Sequence, residues 1–309
     1  MRYLVAGGAG FVGSHVCDTL LAAGHSIVCL DNFLTGIPQN IQHLEGQDGF
    51  EMLSQDVSVP FDFPGPLDGV IHLATPASPL AYQRHPIETL KTGAFGTFNM
   101  LDLAVQKHAR FLLTSTSEVY GNPEVHPQVE EYHGRVSPTG PRSMYDEAKR
   151  FAEATTMGYL RAFDTNVCIV RIFNTYGPRM RPDDGRVIPT LVRQALLGEP
   201  LTLFGDGSQT RSFCYIDDLV RGLVTTFLSA ETGPINLGNP EEVTMLDLAE
   251  KVLEVSGSDS AIAFEALPVD DPIRRCPDVT KARTRLGWNP EIDLDAGLRR
   301  TIEWMKNSM

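Results

Sequence analysis

Leu4-Val5-Ala6-Gly7-Gly8-Ala9-Gly10-Phe11-Val12-Gly13 is the stretch that decides the fold. Strand-like residues from Arg2 to Ala6 run straight into glycines, and a helical pattern begins near Phe11. Glycine at 7, 10 and 13 lets the backbone turn tightly and approach a pyrophosphate. The helix that follows offers free N–H groups and the positive end of its dipole. A glycine triplet alone also marks ordinary βα turns; its position after the first strand gives it weight here. Asp31 closes the second strand, 18 residues beyond Gly13. A carboxylate at that spacing accepts from a ribose 2′-OH and repels a 2′-phosphate, which predicts NAD rather than NADP.

Working outward, short apolar runs at Leu4–Ala6, Ser26–Leu30, Gly69–Leu73, Phe111–Ser115 and Val167–Phe173 alternate with stretches long enough for crossover helices. That alternation predicts an α/β fold with a Rossmann-type doubly wound parallel sheet. The second half differs. Turn and basic signals fill 174–212 (Gly177-Pro178-Arg179, Asp184-Gly185-Arg186, Gly205-Asp206-Gly207) around one helical pattern at Val187–Leu197. Further helices are expected at Met245–Val255 and Leu294–Met305, with a loop rich in Asp, Pro and Arg at 268–278. The division predicts an NAD-binding domain over 1–173 and a smaller C-terminal substrate-binding lobe from 174–212 and 233–309. Tyr215-Ile216-Asp217-Asp218 and the apolar pattern after it send 213–232 back to the first domain.

The apolar fraction, 42%, is enough for a sizeable core. A net charge of −13 argues against a nucleic-acid partner, although a local cluster of arginines would still hold a small anion. The five cysteines have no CxxC or CxxH spacing, and the histidines no ligand spacing, so no metal is expected and the thiols read as free in a reducing cytosol. The first strand leaves no room for a signal peptide, and no apolar run approaches the ~20 residues that span a bilayer. A cytoplasmic protein without a membrane partner is the expectation.

Tyr145 and Lys149 form Tyr-x-x-x-Lys, which puts a phenol and an ammonium on one helical face. The ammonium is expected to lower the phenol pKa and fit Tyr145 for general-base work. As a bare pair the spacing is common. Here it follows a strand, Phe111–Ser115, and the run Thr116-Ser117-Glu118-Val119-Tyr120-Gly121.

With these residues the chain resembles the extended short-chain dehydrogenase/reductase family over nearly all its length. It is most similar to the UDP-glucuronate decarboxylases (UDP-xylose synthases). The matching stretches run in order: His72-Leu73-Ala74, Pro76-Ala77-Ser78-Pro79, Ser115 to Gly121, Arg171-Ile172-Phe173-Asn174, Gly177-Pro178-Arg179-Met180, Asp184-Gly185-Arg186-Val187, Gly207-Ser208-Gln209-Thr210-Arg211 and Asn236-Leu237-Gly238-Asn239-Pro240-Glu241-Glu242.

The resemblance implies a carboxy-lyase that oxidises the sugar at C4, loses CO₂ and recycles NAD. Tyr145 is the implied base, Thr116 a partner of the C4 oxygen, and Glu118 a residue that positions the donor to C5. Arg275 lies nearest the reacting sugar. The cofactor contacts implied are Gly7, Gly10, Phe11, Val12, Gly13, Asp31, Asn32, Thr35, Gly36, Asp56, Val57, Leu73, Thr75, Thr92, Tyr145 and Lys149. For the substrate they are Lys91, Asn99, Asn174, Arg186, Arg211 and Arg275, with Arg179, Arg181 and Arg274 close by. Forked guanidinium groups suit both a pyrophosphate and a carboxylate.

Ser117 separates the chemistries. Sugar-nucleotide 4,6-dehydratases carry Asp in this place, as proton donor to a leaving hydroxyl. Serine is a poor acid, and it can hydrogen-bond a substrate carboxylate without repelling it. Two departures from the commonest family pattern are Thr75 for Ser and Gly93-Ala94 for Asn-Thr; the second is expected to loosen the helix that carries Lys91. That helix region, Leu90–Val105, is apolar around much of its circumference, and the resemblance implies that it and the Tyr145 helix pair with their copies in a homodimer. A 4,6-dehydratase or 4-epimerase on the same scaffold is the nearest alternative, and a non-catalytic NAD or nucleotide-sugar-binding regulator a distant one.

Overall fold

The structure, a computed structural model, describes residues 1–266 and 274–309. Seven strands form the central sheet: β1 (Arg2–Ala6), β2 (Ser26–Asp31), β3 (Phe50–Ser54), β4 (Gly69–His72), β5 (Arg110–Thr116), β6 (Val167–Ile172) and β7 (Ile235–Leu237). Their order is β7-β6-β5-β4-β1-β2-β3, and every pairing is parallel. The chain therefore winds outward in both directions from the β1–β4 pair. The crevice beyond the C-terminal ends of these two strands is where such sheets bind ligands.

The inner strands are buried on both faces, as a parallel sheet requires. Alternate side chains serve two cores. Val5, Ile71, Leu112 and Cys168 pack against the helices Phe11–Ala22 and Ile216–Leu228. Leu4, Val70, Phe111 and Leu113 pack on the other face with Met100, Leu101 and Ala152. Residues 216–228 thus pack against the sheet.

The sequence reading missed β3 and β7. The first is an edge strand with a half-exposed, mixed pattern, and the second has only three residues. Although 233 onward was read as lobe, Ile235–Leu237 pairs with β6 in the sheet.

The remaining short strands lie over the cleft. Thr210–Ser212 runs between Glu242–Thr244, antiparallel, and Arg274–Arg275, parallel. This register sets Arg275 beside Arg211. The loop read at 268–278 lies partly outside the described residues.

The region before β5 is helical as Pro86–Lys91, a π-helical stretch Thr92–Gly96, and Thr97–Lys107. The π-helical stretch contains Gly93 and Ala94. A Cβ at Gly93 would stand 2.6 Å from the Cβ of Ala148, so the glycine is what lets this helix press on the helix Ser143–Phe163. No helix among the described residues is long and apolar enough to cross a membrane.

Candidate active site

One cleft of about 1090 Å³ runs from the glycine loop across the C-terminal ends of the strands to Arg275. Its first half is made of backbone. Gly7 holds a φ of +81°, and a Cβ on Gly13 would lie 2.1 Å from the Gly7 carbonyl oxygen. The loop excludes side chains from the place where a pyrophosphate would meet the N-terminus of the helix Phe11–Ala22. Asp31 locks the loop: its carboxylate accepts from the Ala9 N–H at 3.0 Å and the Phe33 N–H at 2.8 Å. Burial raises its carboxyl above the usual range, opposed by these backbone bonds. Each oxygen keeps a second lone pair for a ribose hydroxyl. The residues present therefore fit NAD.

Gly7, Gly10, Phe11, Val12, Gly13, Asp31, Asn32, Thr35, Gly36, Val57, Leu73, Thr75 and Thr92 all line the cleft. Asp56 does not. It sits one step back, accepting from the Asn32 amide at 3.0 Å. Lys91 and Asn99 also stay outside the lining. Lys91 is exposed beside Asp56, and the Asn99 amide donates to the Val57 carbonyl at 2.8 Å. Both positions thus face the Asp56-Val57 segment.

The strand β5 and the helix Ser143–Phe163 bring the catalytic candidates together. Thr116, Ser117, Glu118, Tyr145, Lys149, Asn174, Arg186, Arg211 and Arg275 share the cleft wall. Lys149 is buried and donates to the Thr114 carbonyl at 2.7 Å; its ammonium stands 6.0 Å from the Tyr145 ring centre. Burial lowers the Lys149 pKa to about 8. The expected lowering of the Tyr145 phenol by Lys149 is not found. Burial pushes that phenol up, with the Thr116 hydroxyl opposing through a hydrogen bond and Glu118 adding to the rise. At 5% exposure desolvation outweighs the distant ammonium.

The sugar end is made of side chains from distant segments. Glu118 is partly buried and gripped by two guanidinium groups: Arg275 in a forked pair (Nη2–Oε2 2.8 Å) and Arg142 at 2.7 Å. Burial works against its ionisation, but Arg275 and then Arg142 hold its carboxyl below the usual range. Arg186 is clasped by Asp184 at 2.6 and 3.1 Å. The Asn174 amide donates to the Ser212 carbonyl at 3.3 Å. Arg179 and Arg181 also line the cleft, but Arg274 is exposed outside it.

Three neighbours escaped the sequence reading. Tyr82 stacks on Tyr145 with ring centres 5.1 Å apart and planes 8° off parallel. No sequence signal points to it, because the contact joins distant segments. Arg142 lies three residues before Tyr145, one helical turn away, and this spacing was a usable signal. Asp146 follows Tyr145 and is buried, with its carboxyl pushed up to about 7 by burial and then by Glu118.

This arrangement has counterparts of known activity. The sequence pattern of the NAD dependent epimerase/dehydratase family matches residues 3–238. UDP-glucuronic acid decarboxylase 1 of Xenopus tropicalis is 48% identical over 308 residues, covering 100% of this chain and 73% of its own. UDP-glucuronic acid decarboxylase 1 of Arabidopsis thaliana is 50% identical over 307 residues, 99% of this chain and 70% of its own. Among solved structures, the UDP-glucuronic acid 4-epimerase of Bacillus cereus, in complex with UDP-glucuronic acid and NAD, superposes with a TM-score of 0.87 at 30% identity over 100% of both chains. A backbone-built cofactor cleft and a full-length likeness lead to one conclusion: the chain belongs to the NAD-dependent epimerase/dehydratase family, within the extended short-chain dehydrogenases.

Proposed function

We propose that this protein decarboxylates UDP-glucuronate to UDP-xylose through a 4-keto intermediate. The observation that carries the reading is the partly buried Glu118–Arg275–Arg142 cluster at the end of the Tyr145 cleft, in a chain about half identical to UDP-glucuronic acid decarboxylases along nearly its whole length. The glycine loop and Asp31 would hold NAD, which when bound would supply hydride uptake and return at C4. Tyr145 removes the proton of the C4 hydroxyl, and Thr116 hydrogen-bonds the same oxygen. The resulting β-keto acid loses CO₂ because the electrons left at C5 are delocalised into an enolate. Tyr145, protonated by then, stabilises the enolate oxygen. Ser117 lines the cleft where a dehydratase would need an acid, so it binds the carboxylate without removing a hydroxyl. Arg275 supplies counter-charge from within its pair with Glu118. Arg186, Arg211 and Asn174 serve the UDP phosphates.

The UDP-glucuronic acid 4-epimerase likeness supports a second reading in which the 4-keto acid is reduced on its other face with its carboxylate kept. Mass analysis of products from a panel of nucleotide sugars separates them. Loss of 44 Da from UDP-glucuronate alone is expected. An unchanged mass, or dehydration of a UDP- or dTDP-hexose, would overturn the proposal.

The assembly is a homodimer built on two helical segments. Ile87, Leu90, Phe95 and Phe98 of one, and Phe151 and Phe163 of the other, are exposed, with Phe98 and Phe151 in edge contact at 5.9 Å. So large an aromatic surface suits a second copy. Light scattering at micromolar concentration should give twice the chain mass, and a monomer would refute it. Five buried free thiols accord with a reducing, cytoplasmic setting.

A further inference from the structure

Decarboxylation with recycled NAD consumes one proton per turnover. Tyr145 takes a proton from the C4 oxygen and later returns it, so that exchange balances. At C5 a C–C bond breaks and a C–H bond forms, and its proton must come from water. The site therefore needs a source of solvent protons at C5.

A second cavity of about 140 Å³ lies behind Glu118. Glu118 and Arg142 line both this cavity and the main cleft, so they form the wall between them. The cavity continues past Asp146 to Asn122, Arg135 and Ser137, which are exposed. Glu118, Asn122, Ser137, Arg142 and Asp146 supply hydrogen-bonding groups to its lining, and its volume suffices for water, which needs room and such partners. Asp146 is 7% exposed, and its Oδ1 has no hydrogen-bond partner among the described residues. A buried carboxylate oxygen without a partner is rare enough to require a reason, and water in this cavity would supply one.

We infer that Asp146 and the cavity behind Glu118 are the proton inlet for the carbon that loses CO₂. Asp146 gives up its carboxyl proton to cavity water, the ionised Glu118 carboxylate takes a proton up only in passing it to C5, and the C5–H bond forms. Solvent then reprotonates Asp146. No oxidant or reductant is involved. The electrostatic surroundings suit a group that must be refilled. Glu118, from the turn after β5, and Glu147, on the same helix, raise the Asp146 carboxyl; Arg142, one turn earlier, and Arg275, from the short strand above, lower it. Tyr82, from the helix Pro79–Arg84, and Tyr145 share the same field. Arg135 at the cavity mouth is engaged by Glu124. The net position, about 7, lets the carboxyl lose and regain a proton near neutrality.

The inlet rests on the decarboxylase reading, and single-turnover experiments on the full chain with NAD and UDP-glucuronate keep the two apart. NADH absorbance reports C4 oxidation, trapped CO₂ reports decarboxylation, and UDP-xylose reports protonation and hydride return. In Asp146→Asn the first two should stay within about threefold of wild type. UDP-xylose formation should slow by about tenfold, in the range of a general acid–base contribution. Its rate should also lose the ionisation near neutrality, and Asp146→Glu should restore much of it. Val136→Phe, which fills the cavity without touching the carboxylates, should slow the same step and guards against misfolding of the first variant. Unchanged UDP-xylose formation in both variants, or an equal fall in all three signals, would overturn the inlet. Absence of CO₂ from the wild-type protein would overturn both the inlet and the function beneath it.

Discussion

The two halves of the cleft are built from different materials. At the cofactor end the binding surface is backbone: Gly7, Gly13 and the N-terminus of the next helix, fastened by one carboxylate to the Ala9 and Phe33 amides. At the sugar end it is side chains. Glu118, Arg142 and Arg275 come from separate segments and hold each other by charge, and Arg186 is held by Asp184 of its own loop. A backbone surface tolerates no added atom, whereas a charge network can lose one member and re-form around the rest. The first should fail abruptly under substitution and the second by degrees.

The hardest test of that contrast is Gly13→Ala. A methyl 2.1 Å from the Gly7 oxygen forces the loop open, and NAD affinity measured by calorimetry should fall by more than about 100-fold, equivalent to ~3 kcal/mol. Binding within a few fold of wild type would show that the loop is not the rigid cradle described. Next comes Tyr145→Phe, which keeps the ring stacked on Tyr82 and removes only the hydroxyl. C4 oxidation followed by NADH absorbance should drop about 10²–10⁴-fold, with little change in melting temperature.

The side-chain half should be softer. Arg275→Ala leaves Glu118 its partner Arg142, so turnover should fall by roughly 10–100-fold rather than vanish, equivalent to about 1.4–2.7 kcal/mol. Complete loss of activity with an intact fold would mean that the network has no such reserve.

The smallest effect concerns stability. The Asp146 carboxyl titrates near 7 in the folded chain, against 3.8 as its ordinary value. Because the folded pKa is raised, this group's contribution is fully present below about 3.8 and is lost as pH rises toward about 7. Asp146→Asn should therefore match wild type in denaturant melts near pH 3.5. At pH 8 it should exceed wild type by roughly 1–3 kcal/mol. That is less than the full linkage of ~1.4 kcal/mol per pH unit, because water in the adjoining cavity screens the charge. Equal stability at both pH values would remove the case for a strained carboxyl.

The same contrast explains how much the sequence revealed. The cofactor half was legible because its parts are contiguous: Gly7 to Gly13 and then Asp31 obey a local geometric rule, and the inner strands read as apolar runs. At the sugar end only the residue types could be read. Glu118 and Arg275 were both singled out, yet their pairing depends on Arg274–Arg275 joining Thr210–Ser212 as a strand, which no local pattern encodes. Tyr82 remained hidden for the same reason. The Tyr145–Lys149 spacing placed both groups on one face but gave no measure of burial, and burial reversed the expected shift of the phenol. Lys91 and Asn99 show the limit of carrying residues over by resemblance: both positions exist, and neither lines the cleft.

The central claim is decarboxylation at C5, and it is tested most directly by giving the purified protein UDP-glucuronate in D₂O and following carbon and hydrogen by NMR. The account predicts one CO₂ for each UDP-xylose, one deuterium at C5, hydrogen retained at C4 and no accumulation of NADH. A product that keeps its carboxylate and differs only in configuration at C4 would contradict it.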